Sequence, residues 1–138
     1  MNEQQNLDVV RSGYEAFGSG DIPGLLRLFH DDVSWTTPGP ADLPTAGTRN
    51  GHAAVQEFFA TLMSIGDILR FEPKDFIAQG DKVIVIGDDT TRVKATGNAV
   101  EFRWVHIFEL RDGKVARFEE RGDVSALVAE LRTAQAPV

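Results

Sequence analysis

Three residues of this chain could move a proton together: His106, Glu120 and Asp89. Burial in apolar surroundings disfavours an ionised carboxylate and lifts its pKa towards neutrality. Such a carboxyl is matched to general acid or base work near pH 7. An imidazole beside it can donate a hydrogen bond to a developing oxyanion, or orient the acid. The set suits enolisation, isomerisation or aldol-type ring closure of an apolar carbonyl compound. A buried His–Glu pair can also be a structural ion pair that bridges two strands, and the residues alone leave both readings open.

The elements must bring these side chains to one face. The run Ala99–Leu110 places Val100, Phe102, Trp104, His106, Phe108 and Leu110 on one side of a strand. Glu101, Arg103, Val105, Ile107 and Glu109 fall on the other. A row that apolar faces the interior, and His106 sits within it. Asp112-Gly113 then turns the chain into Lys114–Arg121. A two-residue loop would pair Arg111 with Lys114 and carry Arg117, Glu119 and Arg121 inwards. A three-residue loop pairs Leu110 with Lys114 and carries Ala116, Phe118 and Glu120 inwards. A slip of one residue flips every side chain, so the hydrophobic pattern favours the second register. It predicts Phe118 opposite His106 and Glu120 opposite Trp104, diagonal to the imidazole. In the preceding hairpin, a loop over residues 95–98 pairs Lys94 with Ala99 and sets Asp89 opposite Trp104. A shift by one presents Asp88 opposite His106 instead; the first arrangement is favoured.

The rest of the chain supplies helices. Asn2 to about Phe17 reads as a helix, with Leu7, Val10, Tyr14 and Phe17 on one face and a capping box from Asn2 and Gln5. Asp21 caps a short helix carrying Leu25, Leu26 and Phe29, and Val33–Thr36 is a short strand. Residues 38–50 hold three prolines and two glycines and read as a loop, a candidate lid over a cavity. A third helix spans Gly51 to about Met63. Ile68–Ala78, interrupted at Pro73, and Asp81–Lys94 continue the hairpin series. Asp123 caps a last helix with Leu127, Val128 and Leu131, and residues 134–138 form a loose tail. Helices early and strands late give an α+β fold.

The chain has 138 residues and a formal net charge of −7, the size of one domain, so residues 1–138 are read as a single domain. No basic patch favours nucleic acid, and no apolar run is long enough for a membrane helix. The opening residues lack a signal-peptide pattern, so the expected compartment is the cytoplasm. The chain has no cysteine and three histidines; His30, His52 and His106 show no metal-ligand spacing. Neither metal nor cofactor is expected.

Two longer runs resemble a known family. Tyr14-Glu-Ala-Phe-Gly-Ser-Gly-Asp21, followed by Leu25 through Trp35, resembles the opening of SnoaL-like, ketosteroid-isomerase-like domains of the nuclear transport factor 2-like superfamily. The segments Gly51–Phe59 and His106–Lys114 fit the same pattern. The resemblance implies a cone-shaped domain, with a curved antiparallel or mixed sheet wrapped by three to four helices around an apolar pocket. It also implies a homodimer and a small apolar or aromatic ligand. Tyr14, Trp35, Phe59, Phe102, Trp104 and Phe118 then become the expected pocket lining. His106 matches a histidine of the cyclases, and Glu120 matches their aspartate with one more carbon. The base of ketosteroid isomerase falls at Thr37 here. The acids of the epoxide-hydrolase-like members match Asp89 and Glu120, but their arginine falls at Gly87. The expected activity is therefore cyclase-like or isomerase-like. The alternatives are a non-catalytic ligand-binding or protein-interaction module, and an epoxide-hydrolase-like enzyme.

Overall fold

Asn2 opens the first helix, α1 (Glu3–Gly18), through the expected capping box: its Oδ1 accepts from Gln5 N at 2.8 Å, and Gln5 Oε1 accepts from Asn2 N at 3.0 Å. The computed structural model describes residues 2–135. Asp21 caps α2 (Ile22–Leu26), accepting from Gly24 N. Phe29 is not part of that helix. It begins β1 (Phe29–Thr37), which starts four residues earlier than its β-branched stretch suggests. Residues 47–50 are not loop either: β2 (Gly47–Asn50) pairs antiparallel with the end of β1. α3 (His52–Ile65) follows. Four long strands come next: β3 (Gly66–Gln79), β4 (Lys82–Val93), β5 (Ala99–Arg111) and β6 (Lys114–Gly122). α4 (Ser125–Gln135) ends the described chain, with Ser125 N donating to Asp123 Oδ1. Residues 134 and 135 thus belong to a helix, and the rest of the expected loose tail lies outside the described residues.

The strands form one six-stranded sheet in the order β2-β1-β6-β5-β4-β3. All neighbours are antiparallel except β1 with β6, which run parallel. The sheet is therefore mixed, and the α+β class stands. Helices α1 to α3 cover its inner face, where Val10, Leu26, Phe29, Val55, Phe58, Phe59, Val83, Val85 and Phe118 make the core. Among the described residues no helix is long and apolar enough to cross a membrane.

The β5–β6 register contains a device that alternation alone does not reveal. The turn is the two-residue Asp112-Gly113, both at positive φ (51° and 79°), as a tight primed hairpin requires. Arg111 pairs with Lys114 and Leu110 with Val115, but Glu109 then pairs with Arg117. The bulge absorbs Ala116 and restores Phe118 and Glu120 to the inner face. The predicted face is correct, and the predicted partners are each displaced by one pair. Glu120 lies opposite His106 rather than Trp104, and Phe118 lies opposite Phe108. The same holds in β4: Arg92 pairs with Ala99, so Asp89 stands opposite Phe102 rather than Trp104. Asp88 points to the other face. There Lys74 (2.7 Å) and Arg70 hydrogen-bond its carboxylate and hold its pKa below the usual range.

Candidate active site

Position 106 gains its chemistry from three directions. His106 is 5% exposed on β5, with the Trp104 ring stacked on it at 3.8 Å between centroids. From β6, Glu120 Oε2 lies 2.8 Å from His106 Nε2. From α1, the Tyr14 hydroxyl lies 2.7 Å from His106 Nδ1. A carboxylate can only accept, so with Glu120 ionised the neutral ring carries its proton on Nε2. Nδ1 then accepts from the Tyr14 O–H. That assignment follows from the hydrogen-bond network. Burial first, and then the Glu120 charge, push the Tyr14 phenol far above its ordinary pKa. It therefore remains a donor at every physiological pH. Both imidazole nitrogens are thus engaged inside the protein.

These groups border a cavity of two compartments. The inner chamber, about 80 Å³, is bounded by Tyr14, Trp35, Phe59, Phe118, His106 and Glu120, among others. The outer compartment, about 110 Å³, is bounded by Asp89, Thr91, Phe102 and Glu120, with the start of α4 and Pro38 and Thr45 of the loop after β1. Glu120 and Thr37 belong to both walls. The loop therefore borders the outer compartment, and its own Leu43 is buried. Glu120 Oε1 has no hydrogen-bond partner among the described residues, and the side chain is 20% exposed. Its position at the junction lets that oxygen meet a molecule spanning either compartment.

Asp89 sits in the outer compartment. Loss of water pushes its pKa up to about 6, and the Glu120 charge adds to the rise. Thr91 Oγ1 donates to it at 3.0 Å and opposes the shift. The buried Trp104 Nε1 makes no hydrogen bond of good geometry, although its N–H dipole is close enough to favour the Asp89 anion.

Five of the six aromatic residues expected in the lining are there: Tyr14, Trp35, Phe59 and Phe118 in the inner chamber and Phe102 in the outer. Trp104 lines neither compartment. It is 2% exposed and lies across Gly87, where a Cβ would come within 2.4 Å of the indole. The side chain fills the space that an arginine at position 87 would need. Tyr14 is more than lining, because it holds His106. Its place on the apolar face of α1 was legible, but its partner 92 residues away was not. Thr37 also escaped notice as a wall residue; its hydroxyl donates to the Thr45 carbonyl. His52 is half-buried and hydrogen-bonded to the Phe29 carbonyl at 3.0 Å.

Solved structures share this arrangement of elements. An NTF2-like protein from Burkholderia xenovorans LB400 is 37% identical, with a TM-score of 0.84 over 94% of this chain and 97% of its own. An NTF2-like protein of unknown function from Burkholderia pseudomallei K96243 is 29% identical, with a TM-score of 0.84 over 99% of this chain and 100% of its own. TerC, co-crystallised with polyporic acid, is 32% identical, with a TM-score of 0.81 over 96% of this chain and 99% of its own. The sequence model of the SnoaL-like domain matches residues 10–118, the span from the first helix to the last strand, and the chain belongs to that family.

Proposed function

We propose that this protein is a cofactor-independent general acid/base enzyme acting on a small apolar ring compound that carries a carbonyl group. One observation carries the reading: Glu120 is fixed through Oε2 by His106, while Oε1 is free at the junction of the two compartments. Glu120 is the base. Its Oε1 takes a proton from the carbon next to the carbonyl, and the C–H electron pair moves into the enolate. The protonated carboxyl returns the proton to the same or another carbon, so no net proton is consumed. His106, with both nitrogens occupied, is a positioning residue that orients the carboxylate, and Tyr14 positions His106. Asp89, with its pKa near neutrality, is the supporting acid on the outer side. The co-crystallisation of the 32% identical TerC with polyporic acid supports an aromatic ligand here.

The test is exchange of α-hydrogens in deuterated water, followed by NMR, on acetophenone, cyclic ketones and phenolic ring compounds. The wild type accelerates exchange of at least one, and Glu120→Gln lowers that rate by at least about 100-fold, the usual contribution of a general base. Ligand binding without exchange in either protein overturns the catalytic reading and leaves a binding module. Epoxide hydrolysis is the weaker reading, because Trp104 occupies the space over Gly87.

We also propose that the protein works as a homodimer. The outer face of the sheet carries Ile77, Ile84, Ile86, Val105 and Ile107, with Ile77 48% and Ile86 41% exposed. Charges of both signs surround them: Lys82, Glu109, Arg117, Glu119 and Arg121. A second copy presents the same apolar centre and mixed rim. Light scattering in solution shows twice the chain mass, falling to one on Ile86→Lys; a monomeric wild type overturns this assignment.

A further inference from the structure

The chain has thirteen glycines, and the backbone accounts for nearly all of them. Seven sit at positive φ, where a side chain is strained. At Gly24, Gly66, Gly87 and Gly122 an added Cβ would come within 2.5 Å of a neighbouring atom. Gly18 is the last residue of α1, outside the helix interior in which glycine is costly. Gly13 has none of these reasons. It lies inside α1, where glycine weakens a helix relative to alanine. A Cβ there would meet only Cδ1 of Leu25 and Cδ1 of Leu28, at 3.4 and 3.8 Å, both ordinary van der Waals contacts. The packing of α1 against its neighbours therefore accepts a side chain that the sequence withholds.

What the missing side chain leaves is room. Gly13, Leu25 and Leu28 all line the inner chamber, so an added Cβ would stand between two side chains of the chamber wall. Val9 and Val10 belong to the same wall. None of these five residues borders the outer compartment, whereas Glu120 borders both. The chamber thus runs from a carboxylate at the junction to a part of the wall that is wholly apolar.

We propose that Gly13 is a specificity-determining residue: it keeps the apolar end of the inner chamber open for an alkyl substituent that the ligand carries on the side away from its carbonyl group. This inference rests on the proposed carbonyl chemistry at Glu120 for the orientation of the ligand, and names what its other end must be. The chain trades helix stability for ligand room.

The probes are acetophenone and 4′-ethylacetophenone, which differ by two carbons at the ring position opposite the carbonyl. Affinities are measured by NMR titration and stability by urea unfolding. The wild type binds the ethyl compound about tenfold tighter, the worth of two buried carbons. Gly13→Ala binds acetophenone as the wild type does, but its preference for the ethyl compound falls to about threefold or less, because a close-packed wall registers a single methyl group. Its urea midpoint rises by about 0.3–0.5 M. In Gly13→Val the preference is gone; should that variant fail to fold, Gly13→Ala decides alone. Equal binding of the two probes by the wild type, no binding of either at millimolar concentration, or a preference above threefold in Gly13→Ala overturns the proposal. So does a lowered midpoint in Gly13→Ala, which would show that the glycine serves the contact of α1 with α2. Binding rather than turnover is read, and Glu120 is left intact, so the two proposals fail separately. A preference for the ethyl compound without α-exchange sinks the Glu120 base, and α-exchange without that preference sinks the role of Gly13.

Discussion

The Tyr14 hydroxyl, on the first helix, lies 2.7 Å from Nδ1 of His106, on the fifth strand. That hydrogen bond gives Nδ1 a donor to accept from, and so supports the tautomer whose Nε2–H faces Glu120. Tyr14→Phe removes the donor and leaves a buried acceptor unpaired, at a cost of about 1–3 kcal/mol. The expected outcome is a lower unfolding midpoint in urea and a mixed tautomer of His106 in its ¹⁵N shifts. A single Nε2–H tautomer in the variant would show that Glu120 alone holds the ring.

Glu120→Gln keeps the shape of the side chain and an acceptor for His106 Nε2–H. The fold therefore survives with a loss of about 1 kcal/mol, the difference between a charge-assisted and a neutral hydrogen bond. Any α-exchange activity falls by at least about 100-fold while the affinity for a ketone changes little. The two effects are separated by calorimetric binding beside the exchange assay.

Asp89 gives the protein a signed pH dependence. Its folded pKa, about 6, lies above the unfolded value of 3.8. The native state therefore binds the proton more tightly, and stability from this group is present below about pH 4 and lost as pH rises through 6. Asp89→Asn removes that loss. The variant is more stable than the wild type at pH 7.5, by about 1–2 kcal/mol once solvent screening is allowed for, and gains little at pH 4. Urea unfolding at the two pH values measures the difference; an equal effect at both contradicts the shift.

Gly87 answers to Trp104. A Cβ at Gly87 would come within 2.4 Å of the indole and of the Glu72 carbonyl oxygen. Gly87→Ala forces the ring, and with it the stacked His106, to move, at about 1–3 kcal/mol. The near-ultraviolet circular dichroism of the tryptophans changes in step with the loss of stability. An unchanged spectrum and midpoint would show that the sheet yields there instead.

Much of this was legible in the residues, and the omissions have physical causes. The alternation in Ala99–Leu110 identifies the inner face, because a period of two needs no tertiary information. His106, Glu120 and Asp89 do share that face. Their exact partners were not legible. A tight Asp-Gly turn followed by a bulge at Ala116 sends the same residues inwards as a longer turn without a bulge, and hydrophobicity cannot distinguish the two. Phe29 reads as helical from its spacing to Leu25 and Leu26, yet pairing with Val115 makes it the first residue of a strand. The union of Tyr14 with His106 depends on how α1 lies across the sheet, which no local pattern encodes.

The parallel pairing of β1 with β6 carries a consequence for how the molecule assembles. Strands β3 to β6 are joined by successive hairpins, whose contacts are local and quick to form. β1 has no long neighbour until β6 exists, about eighty residues downstream in the chain: Trp35 must find Phe118, and Phe29 must find Val115. Closing so large a loop is slow. During synthesis the N-terminal third, with Tyr14 and Trp35, must therefore wait for the C-terminal hairpin to emerge, and the chamber closes only when that early segment docks.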